Sequence, residues 1–325
     1  MAKPENLDDN NSVILVDGSS YVYRAYHALP PLTTSTGQPT GAVRGVVTMV
    51  MRILQDHPNA PVGMVFDAKG DTFRHEMYED YKANRAAMPD DLIPQIEPIH
   101  EVIKALGIKI FVVEGVEADD VIGTLAAEAE QKGISTIIST GDKDLAQLVT
   151  KNIKLVNTMK NEVLDIKGVE KKFGVKPEQI VDYLALVGDT SDNIPGVEKV
   201  GPKTAVNWLT EHNDIDTIIE KADEFKGKVG EYLRAGIEQL KLSRQLTEIK
   251  KDVKLDFGIE DLAVGKRDEK RLHELFTELE FKTLLKEAPK ASKPKSTSKY
   301  TCILDDKTFD DWLKKLAKAK QIVLD

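Results

Sequence analysis

Nine acidic residues occur in small groups along this chain, and its histidines show no metal-ligand spacing. The acids are Asp17, Asp67, Glu117, Asp119, Asp120, Asp142, Asp144, Asp189 and Asp192. Oxygen ligands without histidine or cysteine partners suit Mg²⁺ or Mn²⁺. Two such ions about 4 Å apart can activate a water molecule and stabilise the leaving oxygen when a phosphodiester is hydrolysed. The residue types therefore predict metal-dependent phosphodiester chemistry, provided that the fold brings them together.

The apolar pattern indicates which elements must position these acids. Buried strands are predicted at 12–16, 61–66, 109–113, 135–139 and 153–156, with helices between them at 43–54, 92–106 and 121–131. This alternation predicts an α/β fold with a doubly wound sheet. All of the acids except the last two lie at or just after strand ends, where open α/β sheets bind ligands. So many negative charges at one edge would repel one another unless cations lie among them.

Helix capping is a simpler interpretation for single members of this set. Asp120 and Asp142 could each cap a following helix, because Asp is among the preferred N-cap residues. For either residue alone, capping is the better interpretation. For the whole set, the shared placement at strand ends favours a metal site.

From about Pro177 the pattern becomes helical, with helices predicted at 177–187 and 202–209. The hairpin between them and the start of the second helix contribute Gly196, Val197, Lys199, Gly201, Lys203 and Thr204. Glycines let backbone amides approach a phosphate, and the positive N-terminus of the second helix points to the same place. This pattern predicts a helix-hairpin-helix that grips the DNA backbone without reading bases. An ordinary turn between two helices is the alternative.

The segment from Lys69 to Met88 interleaves basic and aromatic residues, among them Phe73, Arg74, Tyr78, Tyr81, Lys82 and Arg85. Such a pattern suits single-stranded nucleic acid through stacking and phosphate contacts. Acidic residues in the same segment dilute the signal. An exposed helix of mixed charge fits the composition equally well.

Composition limits the class of protein. The chain has 325 residues, of which 41% are hydrophobic and 30% charged, and its net charge is −9. It has no bilayer-length apolar run, no signal-peptide core and one cysteine, Cys302, so a cytoplasmic protein without membrane contact is expected. The negative charge argues against a nucleic-acid partner only weakly, because carboxylates that hold cations are neutralised. The Pro/Ser-rich, basic stretch 288–299 is predicted to be a linker, and 300–325 is too short to enclose a core.

Five motifs, in order, closely resemble the 5′ nuclease domains of bacterial DNA polymerase I, which belong to the flap endonuclease family. They are DGSSYVYRAY from Asp17, YKANR from Tyr81, EADD from Glu117, TGDKDL from Thr140 and GDTSDNIPGV from Gly188. The resemblance runs from about residue 12 to 285. It implies a Rossmann-like, PIN-like nuclease core over 1–176 with a helical arch at about 69–104. It also implies an all-α helix-three-turn-helix region over 177–287 and the start of a truncated 3′-5′ exonuclease-like domain over 300–325, with Asp325 at its first carboxylate.

The resemblance also assigns roles to residues. Asp17, Asp67, Glu117, Asp119 and Asp120 would belong to a first metal group, and Asp142, Asp144, Asp189 and Asp192 to a second. Tyr81, Lys82 and Arg85 match the arch base that contacts the scissile region, and Arg24 matches a basic residue near the first strand. Gly196, Val197, Gly201, Lys203 and Thr204 match a duplex-binding hairpin that in this family can hold a potassium ion.

The predicted function is a structure-selective 5′-3′ exonuclease and flap endonuclease that uses two or more Mg²⁺ or Mn²⁺ ions, as in primer removal and DNA repair. Expected substrates are DNA with a 5′ flap, a nick or a 5′ single-stranded end, including RNA-primed strands. The protein is expected to act as a monomer in a bacterial, nucleoid-associated setting, with the rest of a polymerase in cis. The rivals are a PIN-like RNase, a junction-binding module without catalysis and a structural scaffold.

Overall fold

Six strands and fourteen helices make up the described part of the chain, residues 11–160, 162–287 and 305–318 of a computed structural model. The strands are β1 Ser12–Asp17, β2 Val62–Asp67, β3 Lys109–Val113, β4 Ser135–Ser139, β5 Ile153–Asn157 and β6 Glu162–Leu164. The helices of the first half are α1 Gly18–Ala28, α2 Gly41–Asp56, α3 Phe73–Met77, α4 Ile93–Ala105, α5 Ala118–Gln131 and α6 Ile166–Phe173. Those of the second half are α7 Ile180–Val187, α8 Pro202–His212, α9 Ile215–Glu220, α10 Gly227–Ala235, α11 Ile237–Thr247, α12 Glu269–Glu278, α13 Lys282–Glu287 and α14 Asp306–Leu316.

The strands form one sheet in the order β3-β2-β1-β4-β5-β6, in which only β6 is antiparallel to its neighbour. Ile14 of β1 lies opposite Val62 of β2 on one side and Ile137 of β4 on the other. This sheet confirms the predicted α/β class and all five predicted strands. The short β6 and the helix α1 were not predicted, because three residues carry little pattern and α1 begins with the weak helix formers Gly-Ser-Ser.

The central strand β1 is buried on both faces, which explains its continuous apolar run. Val13 and Leu15 belong to the core shared with α5 and the later helices. Ile14 and Val16 belong to the core shared with α1, α2 and α4. Because the carboxyl ends of parallel strands lie on one edge of the sheet, the acids that follow β1, β2 and β4 are held rigidly along that edge.

The helical region that starts near residue 177 continues the same two cores. Ile180 and Leu184 of α7 share a core with Leu15 of the sheet. Leu272 and Phe276 of α12 lie in the core on the opposite face. The predicted domain boundary near residue 176 therefore separates two patterns of secondary structure that pack around one sheet.

The region expected to form a helical arch, about 69–104, differs from that expectation. Its first helix, α3, has five residues, and Ile99 and Ile103 of α4 are fully buried in the core. Between these helices the chain runs through turns, with Lys82 in the left-handed conformation at φ 57°. A bulky residue at positive φ interrupts an α-helix, so 78–92 contains none.

The predicted linker 288–299 and Asp325 lie outside the described residues, and α14 is the described piece of the segment 300–325. Within the described ranges, no helix is long and apolar enough to cross a membrane.

Candidate active site

Asp17 and Asp67 lie at the ends of the neighbouring strands β1 and β2 and connect the loops around them. Asp17 caps α1 by accepting a hydrogen bond from the Ser20 amide at 2.9 Å, and its other oxygen accepts one from the Thr140 hydroxyl at 2.7 Å. Asp67 accepts a hydrogen bond from the Ala118 amide at 2.9 Å. These contacts hold the loop after β4 and the start of α5 beside the ends of β1 and β2.

A first group of carboxylates meets around Asp119. Burial raises the pKa of Asp17 to about 7. Burial also raises the pKa of Asp119 well above its usual value, and repulsion from neighbouring carboxylates adds to the effect. Those neighbours are Asp142, Asp17, Asp67 and Glu117. The sheet edge thus concentrates negative charge that its own hydrogen bonds do not neutralise.

A second group meets around Asp144. Burial raises the pKa of Asp144, with repulsion from Asp142, Asp189 and Asp192 as further causes and Lys143 opposing them. The Oδ1 atom of Asp144 is buried and has no hydrogen-bond partner within the described residues. Asp142 repels both Asp119 and Asp144, so it is an electrostatic neighbour of both groups.

Asp189 differs from Asp144 because it has strong local partners. The Lys143 ammonium lies 2.7 Å from its Oδ2, while its Oδ1 accepts hydrogen bonds from the amide and the hydroxyl of Ser191 at 2.7 and 2.6 Å. Although burial alone would raise it, these donors hold the pKa of Asp189 below its usual value. A lysine from one acidic loop thus neutralises a carboxylate of the other.

Two residues of the 80–85 segment bridge Glu117 and Asp192, and a third contacts Asp192 alone. The Tyr81 hydroxyl lies 3.0 Å from Glu117 Oε2 and 3.3 Å from Asp192 Oδ2. Lys82 forms an ion pair with Glu117, and its ammonium is 3.7 Å from Asp192. Arg85 pairs with the other oxygen of Asp192. The residues that the resemblance assigned to the arch base therefore lie directly against the acidic edge.

Asp120 points away from this cluster and holds a buried arginine. It is 0% exposed, and both of its oxygens accept hydrogen bonds from Arg74, at 2.7 and 2.9 Å. The amides of Glu117 and Lys250 donate to the same two oxygens, at 3.1 and 2.9 Å. The N-cap of α5 is Glu117, and Asp120 is the third residue of the helix and closes a capping box with it. The role of Asp120 as a metal ligand stays a prediction.

Arg74 is a residue whose role the sequence did not indicate. Its pattern suggested a side chain that faces single-stranded nucleic acid, but it is 2% exposed. Besides Asp120 it donates to Glu117 and to the carbonyls of Leu246 and Glu248, at 3.2, 2.9 and 2.7 Å. It therefore links the acidic edge to the end of α11. No local pattern could have shown this, because the two carbonyls lie more than 170 positions away in the chain.

Arg24 lies beside the loop that carries Asp142. Its Nη2 donates to Asn157 Oδ1 at 2.6 Å, and its Nη1 is buried without a partner in the described part of the chain. A Cβ on Gly141 would come within 2.6 Å of that Nη1, so a glycine at this position leaves room for the Arg24 guanidinium. The structure thus puts this expected DNA-binding residue next to the acidic edge.

The predicted helix-hairpin-helix has the expected helices, since α7 ends at Val187 and α8 begins at Pro202. The hairpin is held by the Val197 amide, which donates to the Leu186 carbonyl at 2.9 Å, and by burial of the Val197 and Val200 side chains. Its exposed side carries Lys199, at φ 64°, and the exposed Lys203 in the first turn of α8.

The two hairpin glycines have different structural reasons. A Cβ on Gly196 would lie 2.5 Å from the carbonyl carbon of Val187, so this glycine is required by contact within the protein. A Cβ on Gly201 would meet nothing within 4 Å. Only Gly201, next to the free amides at the start of α8, leaves open space for an external phosphate.

The acidic edge fits cations by its chemistry but does not form a ready cage. In residues 11–160, 162–287 and 305–318, no three His, Cys, Asp or Glu side chains are arranged to hold one metal ion. Several of the acids instead accept hydrogen bonds from protein donors, whereas the buried Oδ1 of Asp144 has none. Divalent cations would satisfy that atom and relieve the repulsion within both groups.

An all-oxygen acidic edge on a mostly parallel sheet, next to a helix-hairpin-helix, is the arrangement expected of a metal-dependent nuclease. Comparison with known proteins agrees. The family profile described as the N-terminal resolvase-like domain of 5′-3′ exonucleases matches residues 12–174, and the C-terminal SAM fold of the same exonucleases matches 175–270. The chain belongs to the 5′-3′ exonuclease family, which confirms the resemblance seen in its motifs.

Individual relatives show the same relationship. DNA polymerase I of Pseudomonas aeruginosa is 49% identical over 96% of this chain, which spans only 36% of that protein. A 5′-3′ exonuclease of Aquifex aeolicus is 43% identical over 86% of this chain and 96% of its own length. Among solved structures, a complex of the bacteriophage T5 flap endonuclease with DNA and metal ions has a TM-score of 0.64 at 20% identity. That match covers 83% of this chain and 99% of the phage protein, and it shows a shared fold.

Proposed function

We propose that this chain is a structure-selective nuclease that cuts DNA close to the junction of a duplex and a 5′ single strand. The observation that carries the proposal is that Asp142 is an electrostatic neighbour of both carboxylate groups, while Lys82 pairs with Glu117 of the first group and Arg85 with Asp192 of the second. The phage endonuclease that shares this fold was solved with DNA and metal ions. Substrates with a 5′ flap, a nick or an RNA-primed 5′ end belong to the proposal because the resemblance to the flap endonuclease family implies them.

The carboxylates would hold Mg²⁺ or Mn²⁺ in two groups. Asp17, Asp67, Glu117 and Asp119 form the first group, and Asp142, Asp144, Asp189 and Asp192 form the second. Ions bound there supply an activated water molecule and neutralise charge on the leaving oxygen. Asp120 acts through Arg74 and Glu117, whose positions it fixes by hydrogen bonds.

The basic residues of the 80–85 segment would bind the phosphate to be cut. Lys82 and Arg85 lie against Glu117 and Asp192 in this structure, so both can exchange a carboxylate for a phosphate oxygen over a short distance. Arg24, whose buried Nη1 has no partner within the described residues, lies beside Gly141 and would add a third positive charge near the Asp142 loop. Their positive charge compensates locally for the net charge of −9.

The hairpin would hold the duplex away from the site of cleavage. Lys199, Lys203 and the amides after Gly201 face outward and suit phosphate oxygens. A potassium ion bound among the backbone carbonyls of the hairpin remains a prediction from the resemblance. We propose that the protein acts as a monomer, with the rest of a polymerase in cis.

The test uses a DNA with a labelled 5′ flap, incubated with Mg²⁺ and, in parallel, with EDTA. Short labelled products that form only with Mg²⁺ support the proposal, and their length locates the cut. Tight binding without cleavage in either Mg²⁺ or Mn²⁺ would contradict it and favour a junction-binding module. Equal cleavage of unpaired RNA would instead favour a single-strand RNase.

A further inference from the structure

Two segments that are distant in sequence meet beside the acidic edge. They are the arch-base segment, residues 80–85, and the second acidic loop, residues 189–194. Inside the loop, Asp189 and Ile194 exchange two backbone hydrogen bonds of 2.9 and 2.8 Å. The loop is therefore a closed unit, and the position of the Asp192 carboxylate depends on how this unit docks.

Besides the ion pairs, the Tyr81 hydroxyl contacts Asp192 at 3.3 Å and Arg85 Nε contacts the Ser191 carbonyl at 3.5 Å. Three shorter hydrogen bonds, each accepted by a backbone carbonyl, also join the two segments. The Lys82 amide donates to the Asp192 carbonyl at 2.9 Å. On one side of this bond, the side-chain amide of Asn84 donates to the Thr190 carbonyl at 2.6 Å. On the other side, the side-chain amide of Asn193 donates to the Asp80 carbonyl at 2.7 Å. Each asparagine thus holds the backbone of the opposite segment.

Backbone conformation supports a special requirement at this contact. Lys82 and Asn193 both adopt left-handed conformations, at φ 57° and 55°. Asparagine tolerates this region better than most residues, whereas lysine does so at some cost. The strained backbone of Lys82 places its amide on the loop and its side chain beside Glu117 at the same time.

We propose that Asn84 and Asn193 are positioning residues that form a reciprocal clamp between the arch-base segment and the second acidic loop. The clamp holds Lys82 and Arg85 at a fixed place relative to Asp192, so that phosphate-binding cations and metal-binding carboxylates share one frame. Neither asparagine touches the reacting atoms. The inference deepens the proposed nuclease function and rests on it.

The purely structural alternative is that the asparagines only stabilise turns. Asn84 is exposed and Asn193 half-buried, so loss of either amide should leave the global fold intact. A clamp predicts a loss of cleavage far larger than any change in thermal stability. A turn stabiliser predicts the reverse.

The experiment compares Asn84→Ala and Asn193→Gly with the wild type and with a matched control. Glycine at 193 keeps the positive φ and removes only the side-chain amide. The control is Asn213→Gly, since Asn213 is exposed, has φ 72° and lies at the far end of α8. Single-turnover cleavage of saturating 5′-flap DNA in Mg²⁺ should fall at least about tenfold in both clamp variants, with unchanged DNA affinity and melting temperature. The control should cleave at the wild-type rate.

Two further measurements decide between the interpretations. In a Lys82→Ala, Arg85→Ala background, the clamp substitutions should cause a smaller additional loss, because two of the three charged groups that they position are gone and only Asp192 remains. Hydrogen exchange of the Lys82 amide should be at least about tenfold faster in the clamp variants, and this does not depend on activity.

Wild-type cleavage by both clamp variants, an undiminished loss in the double-alanine background, or unchanged exchange at Lys82 would each overturn the clamp. Absence of cleavage by the wild type would instead refute the proposed function, and the exchange measurement would still test the clamp.

Discussion

The acidic edge and the hairpin at 196–204 are built from opposite kinds of interaction. At the edge, carboxylates are held by charged partners, such as Asp120 by Arg74 and Asp189 by Lys143. In the hairpin, backbone hydrogen bonds and the buried Val197 and Val200 hold the chain, while its lysines stay outside. The difference shows how one chain can separate cutting from holding, because charge that is placed rigidly suits chemistry and charge on an exposed turn suits a sequence-independent grip.

The strongest test of this contrast removes the buried ion pair of the acidic side. Arg74→Ala should lower the free energy of unfolding by about 3–5 kcal/mol, because it leaves Asp120 buried without a counter-charge. Urea denaturation measures the change. Lys109→Ala is the matched control, since Lys109 pairs with Asp261 at 3.0 Å on the surface and should contribute less than about 1 kcal/mol. Equal effects of the two substitutions would contradict the role given to Arg74.

The crowded edge should also make the metal-free protein sensitive to pH. Because the pKa of Asp17 is raised from 3.8 to about 7, the folded state keeps a proton that the unfolded chain loses. The stability that this proton provides is complete below about pH 4 and is lost as the pH rises through about 7, up to about 4 kcal/mol. In EDTA, the free energy of unfolding of the wild type should therefore fall relative to that of Asp17→Asn as the pH rises from 4.5 to 7.5, roughly the range in which the group titrates. A constant difference between the two proteins over this range would show that Asp17 is not perturbed.

Asp142, the electrostatic neighbour of both groups, should be needed for cleavage and not for DNA binding. Asp142→Ala should reduce the cleavage rate at least about 100-fold, with little change in the affinity for flap DNA. Rapid-quench cleavage and a fluorescence binding titration measure the two quantities. Asp252→Ala, at an exposed position away from both groups, serves as the control. Full activity of the Asp142 variant would refute the metal-site proposal.

In the hairpin, substitutions of Gly196 and of Gly201 should affect different properties of the protein. Gly196→Ala should destabilise the protein by about 1–3 kcal/mol, because its Cβ would overlap the backbone of Val187. Gly201→Ala should leave the fold almost unchanged and weaken DNA binding, since the methyl group would project into open space beside the free amides of α8. Thermal unfolding and DNA affinity, measured on both variants, check the division. A Gly196 variant with unchanged thermal stability and weakened DNA binding would contradict this assignment of the two glycines.

The smallest expected effect concerns one exposed charge. Lys203→Ala should weaken DNA binding several-fold for all sequences and reduce the slope of log affinity against log salt by about 1. The cleavage rate at saturating DNA should not change, because Lys203 lies on the hairpin. A fall in that rate would mean that the hairpin takes part in catalysis and would remove the separation of the two regions.

Much of the fold was readable from local patterns. The five parallel strands and the helices α2, α4 and α5 carry apolar periodicity that survives in a single sequence. The placement of Asp17, Asp67, Asp119 and Asp142 at one edge follows, because parallel strands end together. The same reasoning could not predict β6, whose three residues are too few to show a period. It also could not predict α1, whose N-cap is Asp17, a residue of the acidic edge.

What the amino-acid sequence determined alone was the chemistry on offer: nine acids at recurring positions, a glycine-containing hairpin and the motifs of a nuclease family. Only the tertiary structure decided how each group is used. In the folded protein Asp120 pairs with Arg74, and Gly196 packs against the backbone of Val187. Asn193 donates a hydrogen bond to the Asp80 carbonyl. Two of these roles depend on distant partners, 46 positions apart for Arg74 and Asp120 and 113 for Asn193 and Asp80, whereas Gly196 contacts Val187 across the turn that follows α7. Local periodicity is set by neighbours within a few residues, whereas hydrogen bonds of this kind exist only once the sheet has brought distant segments together.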